Sequence, residues 1–239
     1  MKAIEIKNLT KKYKDVVAVD DLSLEIEEGT LFSLLGMNGA GKSTTIKMLC
    51  CITKPTSGDA LILNNSIIKD TNKVKNIINL SPQETAVAPN LTVKENLEMI
   101  SEIYGYSRKD TINKVNDIIN KFKLDSVKNK QSKNLSGGMM RRLSIAMALI
   151  SEPKILFLDE PTLGLDVIAR RELWKIIEEL KSKMTVILTT HYMEEAEKLS
   201  DKIGIISKGK LVAIGTSKEI MKQAKVNNFE DAFIELAGE

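Results

Sequence analysis

Gly36-Met37-Asn38-Gly39-Ala40-Gly41-Lys42-Ser43-Thr44 contains the pattern G-x-x-x-x-G-K-[ST]. It follows a short apolar run, Thr30 to Leu35, and precedes Ile46, Leu49 and Cys50, which recur at helical spacing. Strand, glycine-rich loop and helix therefore succeed one another. Glycines admit backbone conformations that turn consecutive N–H groups inward, so the loop and the helix N-terminus form a cradle for phosphate oxygens. Lys42 adds a point charge for β- and γ-phosphates. Ser43 adds a hydroxyl suited to Mg²⁺, which keeps several waters and takes few protein ligands. A glycine-rich turn before an ordinary helix is the bland alternative, and the flanking strand and helix argue against it.

Upstream, apolar alternation in Ala3 to Leu9 and in Leu22 to Ile26 predicts strands. Leu61 to Ile68 around Asn64-Asn65 predicts a hairpin. Downstream the period changes. Thr92-Val93-Lys94-Glu95 is a capping box, followed on one helical face by Val93, Leu97, Ile100 and Tyr104, with a second face of Ile112, Val115, Ile119 and Phe122. Two buried-type strands, Ile155 to Leu158 and Met184 to Thr189, flank an amphipathic helix from Val167 to Lys181, which makes a β-α-β crossover. Asn228 to Leu236 reads as an amphipathic helix that packs on its own domain through Phe229, Phe233 and Leu236. The expectation is one α/β domain over 1–239, with a β-rich part holding the phosphate loop in 1–90, a helical insertion in 91–149 and the rest of the core in 150–239.

The bulk numbers agree with a folded α/β chain. At 239 residues, 43% hydrophobic and 28% charged, with 13 Gly and 5 Pro, the chain is globular and has no low-complexity linker. Its net charge of +3 demands neither nucleic acid nor an anionic membrane. The longest stretch free of charge is Gly29 to Gly41, far below the roughly 20 apolar residues of a membrane span. Early Glu5 and the cluster Lys11, Lys12, Lys14 and Asp15 fit no signal peptide, so a cytoplasmic location is expected. Cys50 and Cys51 are adjacent and His191 is the single histidine, so neither a disulfide nor a zinc site is expected.

Ile155-Leu156-Phe157-Leu158-Asp159-Glu160 is an apolar strand ending in two carboxylates. Such a pair also serves as a solvated turn or a helix cap, but beside a phosphate loop the two acids divide into two roles. Asp159 holds Mg²⁺, directly or through water, and Glu160 polarises a water for attack on a γ-phosphate. His191 follows Val186 to Thr190 at a second strand end, where a ring N–H reaches the γ-phosphate and orients that water. A lone histidine is more often structural, and position alone favours the site here.

In this order and spacing, the phosphate loop, Leu135-Ser136-Gly137-Gly138, Asp159-Glu160 and His191 resemble an ATP-binding cassette (ABC) transporter ATPase subunit over essentially the whole chain. The resemblance implies a P-loop NTPase (RecA-like) core with an antiparallel β subdomain and an inserted α-helical subdomain. It implies ATP and Mg²⁺, with Gly36 to Thr44 on the phosphates and Ser43, Gln83 and Asp159 about the metal. It implies that Lys42, Gln83, Glu160 and His191 are catalytic. Tyr13 would stack on adenine, though a strand-end tyrosine is often simply exposed; Gln83 would reach Mg²⁺ and the attacking water, though it is otherwise a loop amide. Asp166 would cross between subunits, and it is equally a good N-cap. Ser136, Gly137 and Gly138 would close on ATP held by a second ATPase subunit, identical or paralogous. Met139 stands where glutamine is usual.

Leu135-Ser136-Gly137-Gly138-Met139, the Arg141-Arg142-Leu143 that follows, Thr162 to Asp166 and His191 to Ala196 are similar to drug- and antibiotic-export cassettes. Export through a separate permease is therefore expected, with this subunit peripheral on the inner face of the cell membrane. Two rivals differ in class. A nucleic-acid cassette would need a long insertion or a second phosphate loop, whereas Lys42 and Ser136 lie only 94 positions apart, and no basic stripe accompanies them. A non-hydrolysing ATP-gated module would lack Glu160.

Overall fold

In the computed structural model, which describes residues 1–181 and 183–238, the chain opens with β1 (Lys2–Tyr13), β2 (Val16–Glu27), β3 (Leu31–Leu35) and α1 (Lys42–Leu49). It continues through β4 (Ser57–Ile62), β5 (Asn65–Ser66), α2 (Thr71–Lys75), β6 (Ile78–Ser81), α3 (Val93–Ile103), α4 (Arg108–Lys121) and α5 (Gly137–Leu149). β7 (Ile155–Asp159), α6 (Val167–Lys181), β8 (Thr185–Thr190), α7 (Met193–Leu199), β9 (Lys202–Ser207), β10 (Lys210–Gly215), α8 (Ser217–Ala224) and α9 (Phe229–Ala237) follow.

Two sheets result. One is a four-stranded antiparallel sheet in the order β2-β1-β4-β5, and the other is a six-stranded sheet in the order β10-β9-β3-β8-β7-β6. In the second, β9, β3, β8, β7 and β6 are parallel and β10 adds an antiparallel edge. All residues of β3, β7 and β8 are buried, as expected of parallel strands covered on both faces. β2 instead buries Val19, Leu22, Leu24 and Ile26 and exposes residues between them, the pattern of a sheet with one wet face. One core joins the antiparallel sheet to α1 and one face of the parallel sheet. A second core packs α3, α4, α5 and α6 on the other face. A third seats α8 and α9 beside β9, with Phe229 and Phe233 buried and Leu236 partly so, which is the packing expected of the tail.

Several local expectations need correction. β1 and β2 run well beyond the alternating segments, because long antiparallel strands tolerate polar residues and bulges on a wet face. The hairpin turn sits one residue early: Leu63 and Asn64, at φ +45° and +63°, are its left-handed pair, and Asn65 already belongs to β5. Thr92 and Glu95 do form the capping box, with reciprocal bonds of 3.1 and 2.7 Å. Tyr104, however, is exposed at the end of α3, where its hydroxyl accepts from Asn79 Nδ2, and Ile112 faces solvent. Both lie at the edge of the apolar stripe, where a single turn of drift brings a side chain to water.

Gly58 is where the first sheet is least forgiving. Its φ is +77°, and a Cβ there would lie 2.1 Å from the carbonyl oxygen of Asn8. Gly58→Ala is expected to cost about 1–3 kcal/mol through strain and forced displacement, read as a lowered midpoint in urea unfolding. An unchanged midpoint would refute this packing.

Candidate functional site

Parallel register decides where the chemistry gathers. Leu35 pairs with Thr190, Asp159 with Thr189, and Ser81 with Leu158. The loops after β3, β7, β8 and β6 therefore leave the same sheet edge, carrying the glycine loop, Glu160, His191 and Gln83, the position where open α/β sheets bind ligands. There they line a cleft of about 390 Å³ together with Ala18, Asn38 to Thr44 and Leu163.

The glycine loop is wedged between its neighbours. Gly41 has φ +106°, and a Cβ on it would meet the Ala18 carbonyl at 2.4 Å, while one on Gly36 would meet the Ile206 carbonyl at 2.4 Å. Only glycine permits this approach. Gly209 N–H donates to the Ala40 carbonyl at 3.0 Å and fastens the loop to the β9–β10 turn. Lys42 is buried; its ammonium donates to the carbonyls of Gly36 at 2.7 Å and Met37 at 3.1 Å, and lies 3.2 Å from Glu160 Oε1.

Asp159 and Glu160 diverge because Glu160 takes a left-handed φ of +49°. Thr189 enforces the kink from the neighbouring strand: its Oγ1 accepts from the Glu160 N–H at 3.0 Å and donates to Asp159 Oδ1 at 2.6 Å. Ser43 Oγ donates to the same Asp159 oxygen at 3.0 Å. Glu160 Oε2 lies 2.6 Å from His191 Nδ1, so its two carboxylate oxygens are flanked by Lys42 and His191. The Thr190 hydroxyl accepts from Tyr192 N–H at 2.9 Å and fixes the turn that carries His191.

Ser43, Asp159 and Gln83 suit Mg²⁺ by type: the Ser43 hydroxyl already meets the carboxylate, all three offer hard oxygens, and Asp159 is the one carboxylate among them. Among the described residues no cluster of three or more His, Cys, Asp or Glu forms a metal site.

Other expected residues sit apart. Tyr13, 45% exposed, ends β1 with the Lys11 ammonium 4.9 Å from its ring, and it is not among the described residues lining the cleft. Asp166 Oδ1 accepts from the N–H groups of Ile168 and Ala169, both at 2.9 Å, which is an N-cap of α6. Ser136 caps α5 by accepting from Met139 N–H at 3.3 Å, so position 139 serves through its backbone while its side chain packs on the helical core. Ser136 and Gly137 are exposed, and with Gly138 they stand outside the described lining of the cleft.

Three neighbours were not expected. Thr189 is fully buried; a hydroxyl in an apolar strand two residues before His191 was the available signal. Arg141, 5% exposed, is a buried cation directed at the cleft's supporting loops, and burial lowers it to about 10. Glu195 lies at 0% exposure, accepts from Trp174 Nε1 at 2.9 Å, and is pushed up by burial. The two cysteines are free, and burial raises both thiols.

Comparison with known proteins adds the following. The ABC transporter family profile matches residues 19–163. The probable multidrug ABC transporter ATP-binding protein YbhF of Escherichia coli is 40% identical over 98% of this chain, which spans 41% of that relative's length. The daunorubicin/doxorubicin resistance ATP-binding protein DrrA of Streptomyces peucetius is 39% identical over 90% of this chain and 67% of its own. Among solved structures, a dimeric ATP-binding cassette in a post-hydrolysis state bound to ADP and Pi superposes with a TM-score of 0.80 at 28% identity, covering 89% of this chain and 98% of that one.

Proposed function

This chain belongs to the ABC transporter family, and from that premise we propose that it is the ATP-binding, ATP-hydrolysing part of a transporter, working as a pair around two ATP molecules and driving a membrane permease. The observation that carries the paired reading is the separation of two anion cradles. The phosphate loop shares its cleft with Gln83, Glu160 and His191, whereas Ser136, Gly137 and Gly138 present a helix N-terminus outside it. Leu163 at the cleft and Val167 and Ile168 at the start of α6 are exposed apolar side chains, which favours a protein–protein contact there. Asp166 lies in that segment and would contact the second subunit.

In this reading the loop amides from Gly36 to Thr44 and Lys42 grip the triphosphate, and Tyr13 stacks on adenine for about 1–3 kcal/mol. Ser43, Gln83 and Asp159 would hold Mg²⁺, which when bound neutralises charge on the β- and γ-phosphates. Glu160 takes the proton of a water as its oxygen attacks the γ-phosphorus and the bond to the bridging oxygen of ADP breaks. His191 would donate Nε2–H to the γ-phosphate, a contact that needs a proton on Nε2 whatever Nδ1 shares with Glu160. Phosphate loss removes contacts shared by the two cradles, so the pair reopens.

No helix among the described residues is long and apolar enough to cross a membrane; in this reading the chain attaches peripherally, through its permease partner, at the inner face of the cell membrane. The drug-resistance relatives support export, and no nucleic acid is expected. Isolation of the native complex from membranes tests the reading: a polytopic partner and ATP turnover are expected, and bound RNA or DNA would overturn it. Turnover per chain is also expected to fall at least tenfold on dilution into the monomeric range. Constant turnover by demonstrably monomeric protein would remove the paired mechanism.

A further inference from the structure

We propose that Arg141 is a positioning residue that binds the Gln83 loop, the Asp159–Pro161 turn and the start of α5 into one moving body, so that residues serving opposite ATP molecules shift together. The inference rests on the paired reading above.

The geometry is a staple. Arg141 Nε donates to the Pro161 carbonyl at 2.8 Å, Nη2 to the Asp159 carbonyl at 2.6 Å, and Nη1 to the carbonyls of Pro82 at 2.5 Å and Gln83 at 3.2 Å. Three edges of one rigid guanidinium thus reach two loops that come from different strands. Both loops supply the cleft, through Gln83 and Glu160. The third attachment is covalent: Arg141 is one turn into α5, whose N-cap is Ser136. One further turn along, Ser144 Oγ lies 3.0 Å from Ser81 Oγ, and this buried pair anchors the same helix face to the end of β6.

Charge alone does not explain this arrangement. A cation that is 5% exposed carries a large desolvation cost, which its bonds to backbone carbonyls and the nearby carboxylates of Asp159, Glu195 and Glu160 offset. Lysine could supply charge, but not a planar fork with separated donors. What the guanidinium adds is fixed relative geometry. Gln83 and Glu160 would act on the ATP held by this chain, and Ser136 on the ATP held by its partner. Through Arg141 a closure at one cradle displaces the loops of the other.

The test compares wild type, Arg141→Lys and Arg141→Met in the full chain, below the melting temperature of the least stable of them. Hydrogen exchange reads the staple directly. In Arg141→Met, amides of 83–85 and of 160–163 are expected to exchange at least about tenfold faster together, with Arg141→Lys nearly the same. In steady-state kinetics kcat is expected to fall at least about tenfold in both variants while KM for ATP stays within about threefold. A change confined to α5, no change in exchange, or recovery of the wild-type kcat by lysine would overturn the proposal. If wild type itself turned over no ATP, the functional reading would fall, and the exchange arm would still decide whether Arg141 couples the loops.

Discussion

Glu160→Gln is expected to lower ATP turnover at least about a hundredfold while leaving ATP affinity within about threefold, and to accumulate an ATP-bound dimer on size-exclusion chromatography with ATP and Mg²⁺. General-base catalysis is worth about 10²–10⁴-fold, and an amide cannot take the proton of the attacking water. Shape is preserved, so the Thr189 bonds that set the left-handed turn at Glu160 remain available. The hydrogen bonds cannot all be preserved. In the wild type both oxygens accept, Oε1 facing Lys42 at 3.2 Å and Oε2 facing His191 Nδ1 at 2.6 Å. A glutamine has one oxygen, and directing its NH₂ at an ammonium is unfavourable. The oxygen therefore turns to Lys42 and the NH₂ to His191, whose Nδ1 becomes an acceptor with the ring proton on Nε2. Nitrogen-15 spectra of the single histidine would reveal that tautomer. Phosphate release at the wild-type rate would eliminate Glu160 as the base.

The parts of this site legible in the sequence are those that local chain geometry defines. Gly36 to Ser43 announces itself because a phosphate cradle needs glycines and a helix start within a few residues. Asp159 and Glu160 stand out because they end an apolar strand. Asp166 carried two readings, and the bonds it makes within its own chain are those of the cap. What escaped was set by register between distant strands. Thr189 matters because it is opposite Asp159 across β7 and β8, a pairing of residues 30 positions apart that no local pattern encodes. Arg141 sits beside Arg142 in sequence, yet Arg141 enters the interior to meet backbone carbonyls while Arg142 pairs with Glu172 on α6. Two adjacent arginines on one helix differ only in the direction the helix gives them. The misplaced hairpin turn has a similar origin: asparagine favours left-handed backbone, but strand register placed Leu63 there as well.

Lys42→Ala is expected to weaken ATP binding at least about a hundredfold, a loss in affinity itself and not in turnover at saturation. Hydrogen bonds to charged groups contribute about 1.5–3 kcal/mol each, so loss of the contacts proposed between the ammonium and the β- and γ-phosphates spans that factor. The same substitution acts on the protein without nucleotide. Lys42 and Glu160 are 5% and 6% exposed and 3.2 Å apart, and breaking a buried pair by removing one partner costs about 3–5 kcal/mol because the other charge is stranded. Here His191 remains beside Glu160 and the cleft admits water, so the cost falls at or below the lower end. Glu160→Gln removes the stranded charge altogether. Lys42→Ala/Glu160→Gln is therefore expected to melt above Lys42→Ala alone, although it carries one more substitution, while binding ATP no better. Isothermal calorimetry reads the affinity, and thermal melts of the two single variants, the double variant and wild type close the cycle. Additive melting shifts would mean that the two side chains do not sense each other. Unchanged affinity in Lys42→Ala would mean that the loop amides alone hold the triphosphate, and that the ammonium, held 2.7 Å from the Gly36 carbonyl, serves only to close the loop.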